Sequence, residues 1–389
     1  APAVEELRRA SGASTDAPDL LRAQLALYEE RFDEAIAASR RAAAVSPWLY
    51  EASLLEVNVL LSQGRAKADA GKFDESLADF AAAEAQLKRL ASIARSDPTV
   101  HHEECRLGRH ILGVQRFRRR LTPDDVVRAG VPCIEAARLD PGHAGPWTTR
   151  GDLHVVLAED QMRFGDDPTA QIAEGRKMFR HALALDPNEA TTLAGLGRLE
   201  STMARWGAPR GIDPRPRLDE ARGLLARAIA ADPRTISPRI TLANSLIARA
   251  ESESRSGGDP RPFLLQAAAE ARRILELDDE IFLGHNILGN IHNMLADREM
   301  TRGGDPRTSI AEAARAFDRA IALNSSNASV QNNRGNTWLA LVEYQAGRGE
   351  PIDDAAARAL SSYRGALDVR PDYTLAFINI AETERLMAL

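Results

Sequence analysis

The chain has 389 residues, 44% of them hydrophobic and 5% aromatic, with a formal net charge of −6. So small a negative charge argues against nucleic acid as a partner, because a dedicated binder would carry a basic face. No apolar run approaches the roughly 18 residues that span a bilayer, so no membrane role is expected. The start, Ala1-Pro2-Ala3-Val4-Glu5-Glu6, lacks the charged and apolar regions of a secretory signal.

Ala and Leu dominate the apolar residues, while Val and Ile are scarce, which favours helices over strands. Cys105 and Cys133 make no disulfide framework. Taken alone they predict a reducing compartment, hence a cytoplasmic protein, with Cys133 as a small core residue.

In chain order, residues 1–17 form a lead-in and residues 18–142 a set of irregular repeats. There Tyr28-Glu29-Glu30-Arg31-Phe32-Asp33-Glu34-Ala35-Ile36 runs through Ala42 to Pro47, and Gly71-Lys72-Phe73-Asp74-Glu75-Ser76-Leu77 repeats its turn. Residues 78–98 and 101–135 keep the beat loosely. From 143 to 372 the beat is regular. Leu139-Asp140-Pro141, Leu185-Asp186-Pro187, Ala231-Asp232-Pro233, Leu277-Asp278-Asp279, Leu323-Asn324-Ser325 and Val369-Arg370-Pro371 each lie 46 residues apart. Ten residues past each comes a small residue: Gly151, Gly197, Ala243, Gly289, Gly335 and Ala381.

A second marker keeps the same spacing in Asp167-Pro168, Asp213-Pro214, Asp259-Pro260 and Asp305-Pro306, with Glu350-Pro351 one residue early. Gly before it ends one helix in a left-handed conformation, Asp caps the next, and Pro fits the first helical position. Each unit therefore reads as helix, Gly-Asp-Pro turn, helix, turn. The second helices carry core residues at helical spacing: Ala221, Leu225 and Ala228; Ala313, Phe317 and Ala320; Ala359, Tyr363 and Ala366. A terminal helix is predicted over 373–388, in a last segment of 373–389.

Ala-x3-Phe-x2-Ala followed by Pro, with a small residue early in the next helix, resembles the tetratricopeptide repeat. The resemblance covers residues 18–389 as about eight helix pairs plus the final helix. It implies an all-α fold, an α–α superhelix in one continuous solenoid whose first helices line a concave groove. It also implies a non-catalytic scaffold or adaptor that recognises a protein or peptide segment there. The units depart from the family's length of about 34 residues. The extra dozen lie between the small residue and the second-helix Ala, so both helices should be a turn or two longer. Arrays with this Gly-Asp-Pro turn are also similar to helical tails of bacterial serine/threonine protein kinases. The alternative is therefore a regulatory or substrate-recruiting C-terminal region of such a kinase, although nothing in the chain resembles a kinase catalytic motif.

A polar stripe marks the expected groove. Asn244, Asn290 and Asn336 each follow the small residue, Asn286 and Asn332 precede two of them by one turn, and Asn293 continues the face. Arg198 and Asp152 hold the equivalent places upstream, and Glu382 downstream. An amide offers both donor and acceptor to a peptide backbone. Other groups give weaker signals. His101-His102-Glu103-Glu104-Cys105 with His110 lacks the paired spacings of a zinc site, and Arg116-Phe117-Arg118-Arg119-Arg120 is a basic patch beside Asp124 and Asp125. His285 and His292 share a face. No Gly-rich phosphate loop or Gly-x-Ser-x-Gly elbow occurs, so no catalytic residue, metal or cofactor is expected. Phe377, Ile378, Ile380, Leu386 and Met387 on the last helix point to cover by a further helix or to self-association through the chain's ends.

Overall fold

The computed structural model describes residues 18–45 and 50–388, so the lead-in 1–17 and Pro47 lie outside the described residues. Those residues form seventeen α-helices and no strand. They alternate as first and second helices of eight pairs, closed by one first helix. The pairs are α1 (Pro18–Tyr28) and α2 (Phe32–Val45), α3 (Tyr50–Asp69) and α4 (Phe73–Ile93), α5 (Pro98–Gln115) and α6 (Pro123–Leu139), and α7 (Gly145–Arg163) and α8 (Thr169–Leu185). After them come α9 (Ala190–Gly207) and α10 (Arg215–Ala231), α11 (Ser237–Arg255) and α12 (Arg261–Leu277), α13 (Phe282–Thr301) and α14 (Arg307–Leu323), and α15 (Ala328–Ala346) and α16 (Asp353–Val369). The single helix α17 (Thr374–Met387) follows.

Repeat length resides in the helices themselves. α1 and α2 have 11 and 14 residues, whereas α7 and α8 have 19 and 17. The helices group into two compact units, Ala1–Gly195 and Leu196–Leu389, divided within α9. In each unit helices pack on their chain neighbours, and first helices also touch the first helix of the next pair. No described helix is long and apolar enough to cross a membrane.

The turns follow the sequence register. Gly165, Gly211, Gly257, Gly303 and Gly349 all have φ between +68° and +79°, a left-handed conformation that side chains with a Cβ resist. Just beyond, the Oδ1 atoms of Asp167, Asp213, Asp259 and Asp305 accept from the backbone N–H two residues on, at 2.9–3.0 Å. Pro168, Pro214, Pro260 and Pro306 occupy the cap position. The predicted order holds, shifted by one residue: Asp stands outside the cap because its bond closes a turn over the proline.

Between the helices of a pair, one contact recurs. A Cβ added at Gly151 would stand 2.7 Å from the Phe179 ring, one at Gly197 2.7 Å from Leu225, and one at Gly289 2.6 Å from Phe317, while one at Gly335 would collide with Tyr363. In each case the bulky side chain lies 28 residues after the glycine and is fully buried. The glycine lets a ring sit directly on the first-helix backbone, bringing the helices close and burying the predicted core residues on either side. Every one of the second-helix core residues named above is fully buried.

The pair α5 and α6 is held differently at this place, and it corrects the expectation drawn from the cysteines. Cys105 on α5 and Cys133 on α6 are joined in a disulfide, with 28 residues of separation and Cα atoms 5.2 Å apart. They precede Gly151 and Phe179 by one repeat. Here a covalent bond occupies the place that a bulky side chain on glycine takes in the four pairs just named. Cys133 is indeed fully buried, but the pairing removes the ground for the reducing compartment.

Candidate functional site

The amides of the stripe face the neighbouring helix as well as solvent. In the C-terminal unit, Asn333 Nδ2 on α15 donates to Asn290 Oδ1 on α13 at 3.1 Å, and Thr337 Oγ1 donates to Asn293 Oδ1 at 2.8 Å. Asn293 Nδ2 in turn donates to the Asn333 carbonyl at 3.4 Å. One repeat on, Asn379 Nδ2 of α17 donates to Asn332 Oδ1 at 3.1 Å and Asn336 Oδ1 at 3.0 Å, and the Tyr363 hydroxyl also donates to Asn336 Oδ1 at 2.9 Å. A polar seam thus joins α13, α15 and α17. Hydroxyls play the same part elsewhere, with Ser201 and Ser245 Oγ atoms 2.6 Å apart, and Thr148 and Thr192 Oγ1 atoms 2.5 Å apart in the N-terminal unit.

The predicted residues are therefore not equivalent. Asn290, Asn293, Asn332 and Asn336 are brought together, with Asn332 buried and Asn336 exposed. Asn286 is half-buried, with its Oδ1 enclosed and without a partner. Asn244 stands exposed on α11. Arg198 and Asp152 are half-buried, Asp152 lying against Gly195. Asn333, Thr337 and Asn379 complete the group and were not singled out from the sequence, while Tyr363, read there as core, also reaches it through its hydroxyl.

The seam leaves hydrogen-bonding capacity unspent. Among the described residues, the Nδ2 groups of Asn290 and Asn336 donate to no protein acceptor, since each amide joins the seam through its Oδ1. Asn379 spends its Nδ2 on two acceptors and keeps its Oδ1. One row, exposed at Asn336 and half-buried at Asn290 and Asn379, thus offers donors and an acceptor already held in place by their other ends, so little side-chain entropy is lost on binding.

The remaining candidates are committed inside the protein. Arg116 pairs with Glu159 at 2.5 Å and Arg119 with Asp125 at 2.8 Å, while Arg118 meets Asp74 and Arg120 meets Asp166. The basic patch is thereby neutralised. Of the histidine cluster, His101 lies 3.0 Å from both Glu104 and the Arg95 carbonyl, and His102 Nε2 is 3.2 Å from Thr149 Oγ1. No three potential metal ligands converge among the described residues. His285 Nε2 is 3.0 Å from the Asp279 carbonyl.

Burial acts on these rings. It pushes His102 down to about 4, with His143 and Arg106 adding to the effect. Burial, then the Arg109 charge, holds His110 well below its ordinary value, and burial lowers His154 despite its bond to Gln171. The unfolded chain takes up these protons near pH 6.5, where the folded chain refuses them, so stability falls as pH drops from about 6.5 towards 4. His102 alone should cost on the order of 2–3 kcal/mol across that window. Urea unfolding at pH 7 and pH 4.5 should show this loss, with a shallower dependence in His102→Gln; identical slopes would refute the assignment.

No protein-family model and no curated relative matches the chain. Solved structures do. The chain is similar to an IFIT1 monomeric mutant with Gppp-AAAA, at 14% identity and a TM-score of 0.56, covering 100% of this chain and 78% of that one. It is similar to the APC/C hetero-tetramer Cut9-Hcn1 at 11% identity and a TM-score of 0.54, over 97% of this chain and 59% of that one. A third likeness is to YrrB, a TPR protein with an unusual peptide-binding site, at 17% identity and a TM-score of 0.38, over 64% of this chain and 97% of that one. The fold is a tetratricopeptide-like helical repeat. At these identities the likeness concerns the fold alone.

Proposed function

We propose that the chain is a non-catalytic scaffold that holds an extended protein segment along the amide row of α13, α15 and α17. The observation that carries this reading is that Asn290 and Asn336 are fixed through their Oδ1 atoms while their Nδ2 donors remain unspent. Such donors match peptide carbonyls, which every sequence offers, so the row would grip a backbone with little demand on side chains. Away from the row, the Arg116–Arg120 patch of the N-terminal unit already faces carboxylates, which weighs against nucleic acid there. The same row would serve in a substrate-recruiting region of a protein kinase, and a catalytic domain encoded ahead of Ala1 would select that version.

The seam also supplies a clean variant. Asn290→Asp with Asn336→Asp keeps both seam acceptors and turns each unspent donor into a carboxylate oxygen that repels a peptide carbonyl. After a partner is captured from native extract and identified by mass spectrometry, titration should show binding weakened tenfold or more, the loss of about one hydrogen bond at each site. The melting temperature should move by less than about 3 °C. Unchanged affinity would refute the proposal.

A further inference from the structure

In the N-terminal unit, α6 and α8 both pack on α7 but not on one another, which leaves a groove floored by α7. Arg150 of α7, on the opposite face of that helix from Asp152, belongs to this floor. Its guanidinium lies 5.2 Å from the centre of the Trp147 ring, which sits 4.1 Å from the His181 ring of α8. Among the described residues Arg150 makes no hydrogen bond or ion pair, and the Trp147 Nε1–H is enclosed without an acceptor. The repeat shows what is missing. Four units on, Arg334 of α15 holds the place of Arg150 and lies 2.8 Å from Asp318 Oδ1 on the preceding second helix. On α6 the place of Asp318 is taken by Ile134, which is 54% exposed. The three first helices in between carry Leu196, Leu242 and Leu288, so a guanidinium here bears a desolvation cost that only a carboxylate offsets. Burial pulls Arg150 below its ordinary value, and Glu174 of α8 opposes this from beyond ion-pair distance. Val131 and Val127, also exposed, stand one and two turns before Ile134 on the same face of α6. An aliphatic stripe therefore leads away from an unpaired cation.

We propose that this groove binds a helical segment of a partner protein in which one Asp or Glu has aliphatic residues one and two turns away. The carboxylate takes on Arg150 the place that Asp318 takes on Arg334, and the aliphatic side chains cover Val131 and Val127. The wall presents its apolar groups at helical intervals, which a helix of the same pitch meets turn by turn. The site belongs to the N-terminal unit and to the outward face of a first helix, whereas the amide row belongs to the C-terminal unit, so the two bind independently.

The probe is a peptide selected on the full chain from a phage-displayed random library, then synthesised with a fluorescent label. The enriched class should carry one carboxylate with aliphatic residues at helical spacing from it. Arg150→Gln should weaken its binding about tenfold or more. Ile134→Asp should do the same, because it supplies from within the carboxylate that α14 supplies at Asp318, and Ile134→Asn, which adds no charge, should weaken binding less. The melting temperature should move by less than about 3 °C in all three. Asn290→Asp with Asn336→Asp should leave the affinity unchanged; a loss there would move the peptide to the amide row and overturn the proposal. It is equally overturned by the absence of any enriched class, by an enriched class without a carboxylate, by indifference to Arg150→Gln, or by equal losses in Ile134→Asn and Ile134→Asp.

Discussion

Reduction of the Cys105–Cys133 bond is expected to lower the stability of the N-terminal unit by about 3–4 kcal/mol, from the entropy that the open loop regains on unfolding. The bond spans a sequence separation of 28 residues, and both sulfurs sit in a core where they pack with Leu112, Leu121, Val126 and Leu153. It stands where four other pairs place a bulky side chain on glycine, so that device does not hold α5 against α6. Urea unfolding with and without a reductant able to act on the unfolded chain measures the difference. Two free thiols, found when the purified protein is denatured without reductant, would refute the prediction.

Phe179→Ala should cost about 3–5 kcal/mol, the range for removing a buried ring whose surroundings collapse incompletely. Phe179 is fully buried, and added Cβ atoms at Gly151 and Gly195 would stand 2.7 Å and 2.5 Å from its ring. Both glycines therefore exist to make room for one side chain. Gly151→Ala alone should destabilise by about 1–3 kcal/mol through overpacking. In the Phe179→Ala background it should be neutral or stabilising, because the clash is gone and alanine favours helix by about 1 kcal/mol. Strictly additive effects in this double-mutant cycle would contradict the contact.

Much of this fold was legible because the repeat writes its turns in residues with restricted chemistry. Gly257 and Asp259, or Gly303 and Asp305, announce a left-handed turn and a cap wherever they recur. The number of helices followed from the same beat. The 28-residue offset between facing helices was equally present in the sequence, yet it emerges only when Gly151 and Phe179 are seen in contact. Once known, it pairs Cys105 with Cys133 at sight.

The amide row was legible in part. Helical spacing placed Asn290, Asn293, Asn332 and Asn336 on common faces, but spacing along one helix does not reveal what the next helix brings to that face. Asn333, Thr337 and Asn379 meet them at offsets of 43, 44 and 47 residues, none equal to the repeat, because adjacent first helices are staggered. His102 and Thr149 lie 47 residues apart for the same reason. Packing between repeats therefore had to be seen, whereas packing within a turn could be read.

Photo-cross-linking tests the binding proposal most directly. Asn244 is exposed on the same stripe as Asn290 and Asn336, and Gln266 is exposed on α12, a second helix. A benzophenone amino acid at position 244 should capture the partner identified from extract, and the same group at position 266 should not. Capture at 266 but not at 244 would show that the partner sits on the second helices, and the amide row would lose its role.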